Sequence, residues 1–92
     1  MQNQNNQFIS QLKLRDFQII LKEFNIEIDE DTQKSILSII QNNQYALMCD
    51  QYQFVLENSI KKLTSEFACQ KLISYFKPLV KVWFLNISIS NL

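Results

Sequence analysis

Apolar residues recur along this chain with the period of an α-helix. The first stripe occupies positions i, i+3, i+4 and i+7: Phe17, Ile20, Leu21 and Phe24. Three further apolar residues precede it: Phe8, Ile9 and Leu12. Because side chains at these intervals share one face of a helix, the pattern predicts a first amphipathic helix over about residues 8–24.

A short link and a second helix follow. Residues 25–28 alternate polar and apolar, which predicts an extended link with both isoleucines on one side. Asp29 is a favourable N-cap, and the acidic residues after it suit the positive end of a helix dipole. The second helix is predicted over about residues 30–41. Its expected end is at residues 42–44, where asparagine tolerates the left-handed conformation. The expected buried residues are Ile36, Leu37, Ile39 and Ile40.

The third helix is predicted to begin at Asp50, after a loop or isolated strand over residues 45–49. Gln53 stands three residues after Asp50, the spacing of a capping box. The helix is expected to end near Leu63. Its predicted buried stripe comprises Tyr52, Val55, Leu56, Ile60 and Leu63.

Beyond Leu63 the apolar stripe changes face, so we predict a break at Thr64 and Ser65 and then a fourth helix. Pro78 is predicted to end or kink that helix, because proline lacks the amide hydrogen and restricts the preceding residue. Apolar and polar residues then alternate with period two over residues 79–92, a β-type pattern. The predicted fold class is mainly α: a small bundle of about four helices with short extended links and a C-terminal tail of β-type pattern.

Ninety-two residues make one small domain, and the predicted organisation has three parts. Residues 1–7 are polar and expected to be disordered, and residues 8–78 form a single helical domain. Residues 79–92 form a hydrophobic C-terminal tail. That tail pairs with the short extended links, is swapped into a partner, or lies outside the folded domain as a hydrophobic appendage. A truncated or unusually spliced gene model is a further alternative.

The composition disfavours most catalytic chemistry. The chain contains no histidine and no glycine, so it lacks the usual general base and the glycine-rich loops that cradle phosphates. Two cysteines without histidine do not complete a four-ligand zinc site. The acidic residues 27–31 are better explained as helix capping than as a cation site. We therefore expect no enzyme activity, no cofactor, no metal and no small-molecule substrate.

Cysteine use and the N-terminal sequence predict an intracellular protein. Cys49 and Cys69 are the only cysteines, and two free thiols in a reducing compartment are expected. The first residues show neither a basic region followed by an apolar one nor the arginine-rich character of a transit peptide. No apolar run reaches the length of a transmembrane helix. The expected location is the cytoplasm or a cytoskeletal or organellar assembly, without secretion.

The middle of the chain has helical segments before and after a polar loop: LKEFNIEID and ILSII, then the loop around Leu47, then DQYQFVL. This arrangement resembles a degenerate EF-hand of the calmodulin-like type, whose loop has an apolar residue at its eighth position. With Leu47 eighth, Ile40 is first, Tyr45 sixth and Gln51 twelfth, where the family has a carboxylate, a glycine and a carboxylate. The resemblance thus implies a helix-pairing, target-binding module that does not bind calcium.

Two alternative functions stay open at this point. The segment FNIEIDEDTQKSILSIIQ is similar to the small N-terminal helical domain of the second subunit of DNA polymerase epsilon. That similarity, with the lysines between Lys61 and Lys81, implies a replication-type, nucleic-acid-associated module. The zero net charge argues against broad phosphate binding. The other alternative is attachment to a membrane surface through the aromatic C-terminal segment.

The function we expect is a non-enzymatic protein–protein interaction module, a small helical subunit or adaptor of a larger assembly. Seven Phe, three Tyr and one Trp are more aromatic side chains than a core of this size easily hides. Exposed aromatic residues on a small domain usually mark a partner surface. The predicted partner-binding residues are Tyr75, Phe76, Trp83, Phe84 and Leu85.

Overall fold

A computed structural model describes the backbone over residues 9–90 and the side chains over residues 9–81. The predicted disordered segment 1–7 lies outside the described residues. The fold is mainly α, as predicted, and no strand occurs in the described part. The elements are α1 (Leu14–Glu23), α2 (Glu30–Asn42), a short 3₁₀ helix (Gln44–Leu47), α3 (Asp50–Leu63) and α4 (Glu66–Ser90).

Helix α1 begins six residues later than predicted. Residues 9–11 form a turn, closed by the Leu12 amide donating to the Ile9 carbonyl over 3.2 Å. Lys13 is the N-cap, and its amide donates to the Asp16 carboxylate over 3.2 Å. This contact fixes the helix start, because it gives a helix-end backbone group a side-chain partner. Ile9 and Leu12 are nevertheless buried.

The left-handed asparagine lies after α1, not after α2 as predicted. Asn25 has φ 59°, whereas Asn43 at the end of α2 has φ −131°. The Ile26 amide donates to the Leu21 carbonyl over 2.9 Å, and the Asn25 amide to the Lys22 carbonyl over 3.1 Å. These two bonds form a Schellman motif, which stops α1 and turns Ile26 into the core.

Three of the five residues predicted as a loop or isolated strand, residues 45–47, lie in the 3₁₀ helix, and Met48 and Cys49 connect it to α3 without helical structure. The 3₁₀ helix Gln44–Leu47 buries the side chains of Ala46 and Leu47 beneath it. The prediction of a capping box between Asp50 and Gln53 at the start of α3 is wrong. Cys49 is the N-cap, and the Gln53 amide nitrogen instead donates to the Glu57 carboxylate over 2.8 Å.

The predicted break between the third and fourth helices is confirmed. Helix α3 ends at Leu63 and α4 begins at Glu66. The Ser65 hydroxyl accepts a hydrogen bond from the Ala68 amide over 3.1 Å, and the Ser65 carbonyl accepts one from the Cys69 amide over 3.0 Å. Serine therefore caps α4 in the usual N-cap manner.

Helix α4 passes through Pro78 without ending there, so the helix end predicted at Pro78 is wrong, while the alternative of a kink stays a prediction. Proline has no amide hydrogen, so the Ser74 carbonyl, four residues before Pro78, loses its helical hydrogen-bond donor. Both Pro78 and Ser74 are solvent-exposed. The β-type pattern after residue 78 does not produce a strand, because the backbone through Ser90 is helical. The described buried stripe has helical spacing and continues past Pro78 as far as Val80: Cys69, Leu72, Ile73, Phe76 and Val80.

The core is centred on two aromatic rings from α1 and α4. Phe17 and Phe76 are fully buried, with ring centroids 6.4 Å apart. Tyr75 packs edge-on against Phe24 and Phe76, at centroid distances of 5.8 and 5.0 Å. Between residues 9 and 81 no polar or charged residue is buried. The other fully buried side chains include Leu21, Ile36, Ile40, Leu47, Ile60 and Leu72.

The side-chain amide of Gln41 ties the N-terminal turn to α2. Its nitrogen donates to the carbonyls of Ile9 and Leu12 over 3.0 and 2.9 Å. The Gln44 amide nitrogen adds a bond to the Ser10 hydroxyl over 2.7 Å. These glutamine side chains thus donate hydrogen bonds to the N-terminal turn, which lies outside the helices. The bonds hold Ile9 and Leu12 in the core.

Replacing Gln41 with alanine is expected to lower the free energy of unfolding by about 1–2 kcal/mol, because the part-buried Leu12 carbonyl loses its donor and the Ile9 carbonyl keeps only the Leu12 amide. Urea denaturation followed by circular dichroism measures this change. Ser35→Ala, at an exposed position of the same helix, is the matched control and should shift stability by less than about 0.5 kcal/mol. Equal stabilities for the two variants would contradict the role given to Gln41.

Candidate interaction groove

The structure shows different surroundings for Tyr75 and Phe76, the two predicted partner-binding residues whose side chains it describes. Phe76 is fully buried, so its side chain offers no surface for a partner. Tyr75 is half-buried and packs against Phe24 and Phe76. The side chains of Trp83, Phe84 and Leu85 lie outside the described residues, and their role stays a prediction.

Among the described side chains, five of the eight large exposed apolar ones lie on α3 and the 3₁₀ helix; the other three are Ile19, Phe67 and Leu79. Leu56 and Ile60 are buried as predicted, but three other residues of the predicted α3 stripe are not. Tyr52, Val55 and Leu63 are 51, 61 and 40% exposed. Tyr45 on the 3₁₀ helix is 62% exposed. The apolar stripe of α3 is therefore wider than the face that its neighbouring helices cover.

Part of this surface forms a groove between the C-terminal end of α2, the 3₁₀ helix and α3. Its volume is about 460 Å³, in the range of ordinary ligand pockets. Ala46 and Leu56 contribute buried apolar side chains, while the Tyr45 and Tyr52 rings lie 6.1 Å apart. The lining residues are Asn42, Asn43, Tyr45, Ala46, Tyr52, Val55, Leu56 and Ser59.

The polar side chains of the groove are partly committed to the fold. The Asn43 amide nitrogen donates to the Ile39 carbonyl over 2.7 Å, and that of Asn42 to the Ser38 hydroxyl over 3.3 Å. The Ser59 hydroxyl donates to the Val55 carbonyl over 3.1 Å. Each asparagine still presents its side-chain oxygen as an acceptor. The groove thus combines apolar contact area with a few neutral hydrogen-bonding groups.

The acidic segment before α2 takes part in local contacts. The Thr32 hydroxyl donates to the Asp29 carboxylate, which caps no backbone amide. Glu30 forms an ion pair with Lys34 one turn later, at 3.6 Å. Within residues 9–90 no three potential metal-ligating side chains converge. None of the described helices combines the length and apolar character needed to span a bilayer.

Both cysteines are free thiols, as expected, but their surroundings differ. Cys69 is fully buried on α4, with its sulfur 3.4 Å from the Glu57 carbonyl oxygen. Burial raises the pKa of the Cys69 thiol, and the Glu57 carboxylate raises it further. Lys61 lowers this pKa, and Glu66 raises it. Cys49 is half-buried at the start of α3.

Thiol titration of the native protein should therefore show one fast and one slow cysteine. Only the thiolate reacts, so the buried Cys69 is expected to react after unfolding while Cys49 reacts in the folded state. A disulfide-exchange reagent, with Cys49→Ser to assign the two phases, measures these reaction rates. Equal rates for the two cysteines in the native protein would contradict this assignment.

The raised pKa of Cys69 also means that the folded state favours the protonated thiol. The contribution of Cys69 to stability should therefore be lost as pH rises above 9.0, the usual thiol value.

Comparison with known protein families, with curated proteins and with solved structures finds no match for this chain. The EF-hand and polymerase-subunit resemblances of the sequence therefore stay predictions. The groove of α2, the 3₁₀ helix and α3 is a candidate site on the strength of its own geometry and residue types.

Proposed function

We propose that this chain is a non-enzymatic protein–protein interaction module that binds its partner through the groove of α2, the 3₁₀ helix and α3. It acts as a small helical subunit or adaptor of a larger assembly, without a requirement for calcium. One observation carries the proposal: Tyr45, Tyr52 and Val55 each expose more than half of their surface beside a concave apolar groove.

Exposed aromatic side chains beside a groove are well suited to protein recognition. Tyrosine supplies a large, rigid apolar area with a hydroxyl at its tip, so it contributes strongly to interfaces. The walls are helices packed on a buried core, so the groove requires little ordering when a partner binds. A helix or extended segment carrying one or two apolar side chains fits these dimensions.

The lining residues favour binding over catalysis. The groove contains two asparagines, two tyrosines, a serine and three apolar residues. It has no carboxylate, imidazole, amine or thiol, so the Ser59 hydroxyl has no general base in the groove to activate it as a nucleophile. Neutral hydrogen-bonding groups around an apolar centre instead give orientation and specificity to a bound segment.

Quantitative affinity purification from the native cell tests the proposal. The tagged wild-type chain is expected to retain a partner that the Val55→Asp variant loses, since a carboxylate in the groove would be buried without a counter-charge. Phe54→Asp is the matched control, because Phe54 is the adjacent residue and similarly exposed, at 66%, but does not line the groove. Retention of every partner by Val55→Asp would overturn the proposal.

A further inference from the structure

The zero net charge of the chain conceals a strong separation of charge along it. Up to and including Glu57 the sequence has four basic and eight acidic residues. After Glu57 it has five basic residues and one acidic residue, Glu66. The C-terminal third is therefore basic although the whole protein is neutral, and most of that third is helix α4.

Helix α4 presents its lysines on the side that faces solvent. The exposed positions recur every three or four residues, the spacing of one helix face: Phe67, Lys71, Ser74, Pro78 and Lys81. Lys77 stands beside this stripe and is half-buried. Along the helix axis the three lysines span about 15 Å, with intervals of about 9 and 6 Å.

The charge of this face is only slightly neutralised within the described part of the protein. Lys77 approaches the carboxylate of Asp50 to 3.8 Å, but that carboxylate is 95% exposed, so the ion pair is weak. The Lys71 ammonium lies 5.5 Å from the centroid of the Phe67 ring. This cation–π contact orients the side chain and leaves its charge in place. Glu66, at the start of the helix, is the one carboxylate of α4.

We infer that this lysine face of α4 binds an acidic protein segment, one with several Asp or Glu residues. Carboxylates on every second residue of an extended peptide are about 7 Å apart, and those one turn apart on a helix about 6 Å. The helical spacing matches the interval of about 6 Å between Lys77 and Lys81. Three carboxylates on alternate residues of an extended peptide span about 14 Å, close to the span of about 15 Å of the three lysines. The site is separate from the apolar groove, since no residue of α4 lines that groove.

Charge and residue type favour an acidic protein segment over the other polyanions. The face contains no arginine, the residue best shaped for bidentate phosphate contacts. Insertion of an amphipathic helix into a lipid surface needs a broad apolar face alongside the lysines. The apolar stripe of α4 through Val80 is instead packed into the core.

Fluorescence anisotropy of the purified full chain tests this inference. The probe is a labelled decapeptide of alternating glutamate and serine, titrated at low and at high salt. Binding is expected at low salt, and the Lys71→Glu/Lys81→Glu double variant should weaken it about tenfold. The control double variant Lys13→Glu/Lys22→Glu changes net charge equally at exposed positions on and beside α1 and should alter binding less than twofold.

Three outcomes would overturn the assignment. The first is no binding of the peptide at low salt, and the second is an equal loss in both double variants. The third is tighter binding of a labelled oligothymidine or of phosphatidylserine vesicles that the same α4 variant abolishes. Val55→Asp is expected to bind the acidic peptide like the wild type, so this result is independent of the groove proposal.

Discussion

Truncation of Phe76 to alanine is expected to lower the free energy of unfolding by about 3–5 kcal/mol. The ring is fully buried between the Phe17 ring and Tyr75, so its removal leaves a cavity at the centre of the bundle. A domain of this size has a total stability of roughly 5–14 kcal/mol. The variant should therefore be poorly folded at moderate temperature.

Urea denaturation followed by far-ultraviolet circular dichroism measures this effect. The transition midpoint should fall, while the dependence of unfolding free energy on urea concentration stays similar. Phe54→Ala is the control, because this ring is 66% exposed and its loss should change stability by less than about 0.5 kcal/mol. A Phe76→Ala variant as stable as the control would return Phe76 to the set of candidate partner contacts.

The second large effect is expected in partner binding. Tyr52→Ala and Val55→Asp should each weaken the complex by about 2 kcal/mol or more, or roughly thirtyfold in Kd. Tyr52 supplies one wall of the groove, and Val55 borders its apolar centre. Both side chains are more than half exposed in the free protein, so their replacement should leave the fold intact.

Isothermal titration of the purified partner into each variant provides the measurement. The decisive comparison is between Val55→Asp and Phe54→Asp, which place the same charge on adjacent, similarly exposed residues. Only the first carboxylate stands in the groove. Equal affinities for these two variants would show that the partner does not use the groove.

Local signals predicted much of the helical framework. The second helix was predicted over residues 30–41 and is observed as Glu30–Asn42. The break at Thr64 and Ser65 was also predicted, since the apolar stripe changes face where a serine can cap the next helix. Four helices follow from the 3.6-residue period, a property of the sequence itself.

The errors occur where long-range packing overrides local preference. The N-terminal turn is held by Gln41, which is about thirty residues away in the sequence. Helix α4 continues past Pro78 because Phe76 and Val80 are both buried on one face. The contact with Gln41 comes from another element, which no local pattern encodes. Phe76 and Val80 do have helical spacing in the sequence, but the period-two alternation over residues 79–92 conflicts with it.

The groove could not be predicted for a related reason. The sequence shows that Tyr52, Val55 and Leu56 lie on adjoining parts of one amphipathic helix. It does not show how far the neighbouring helices extend over that surface. Leu56 is covered and the other two are not, so the tertiary arrangement alone distinguishes core from binding surface.

We propose that partners bind through the groove of α2, the 3₁₀ helix and α3, and hydrogen exchange of the free chain and of its complex measures whether they do. Partner binding is expected to slow exchange over residues 42–59, which carry the groove lining. Slowing confined to residues 75–90 of α4, with residues 42–59 unchanged, would overturn this proposal and favour the aromatic C-terminal segment instead.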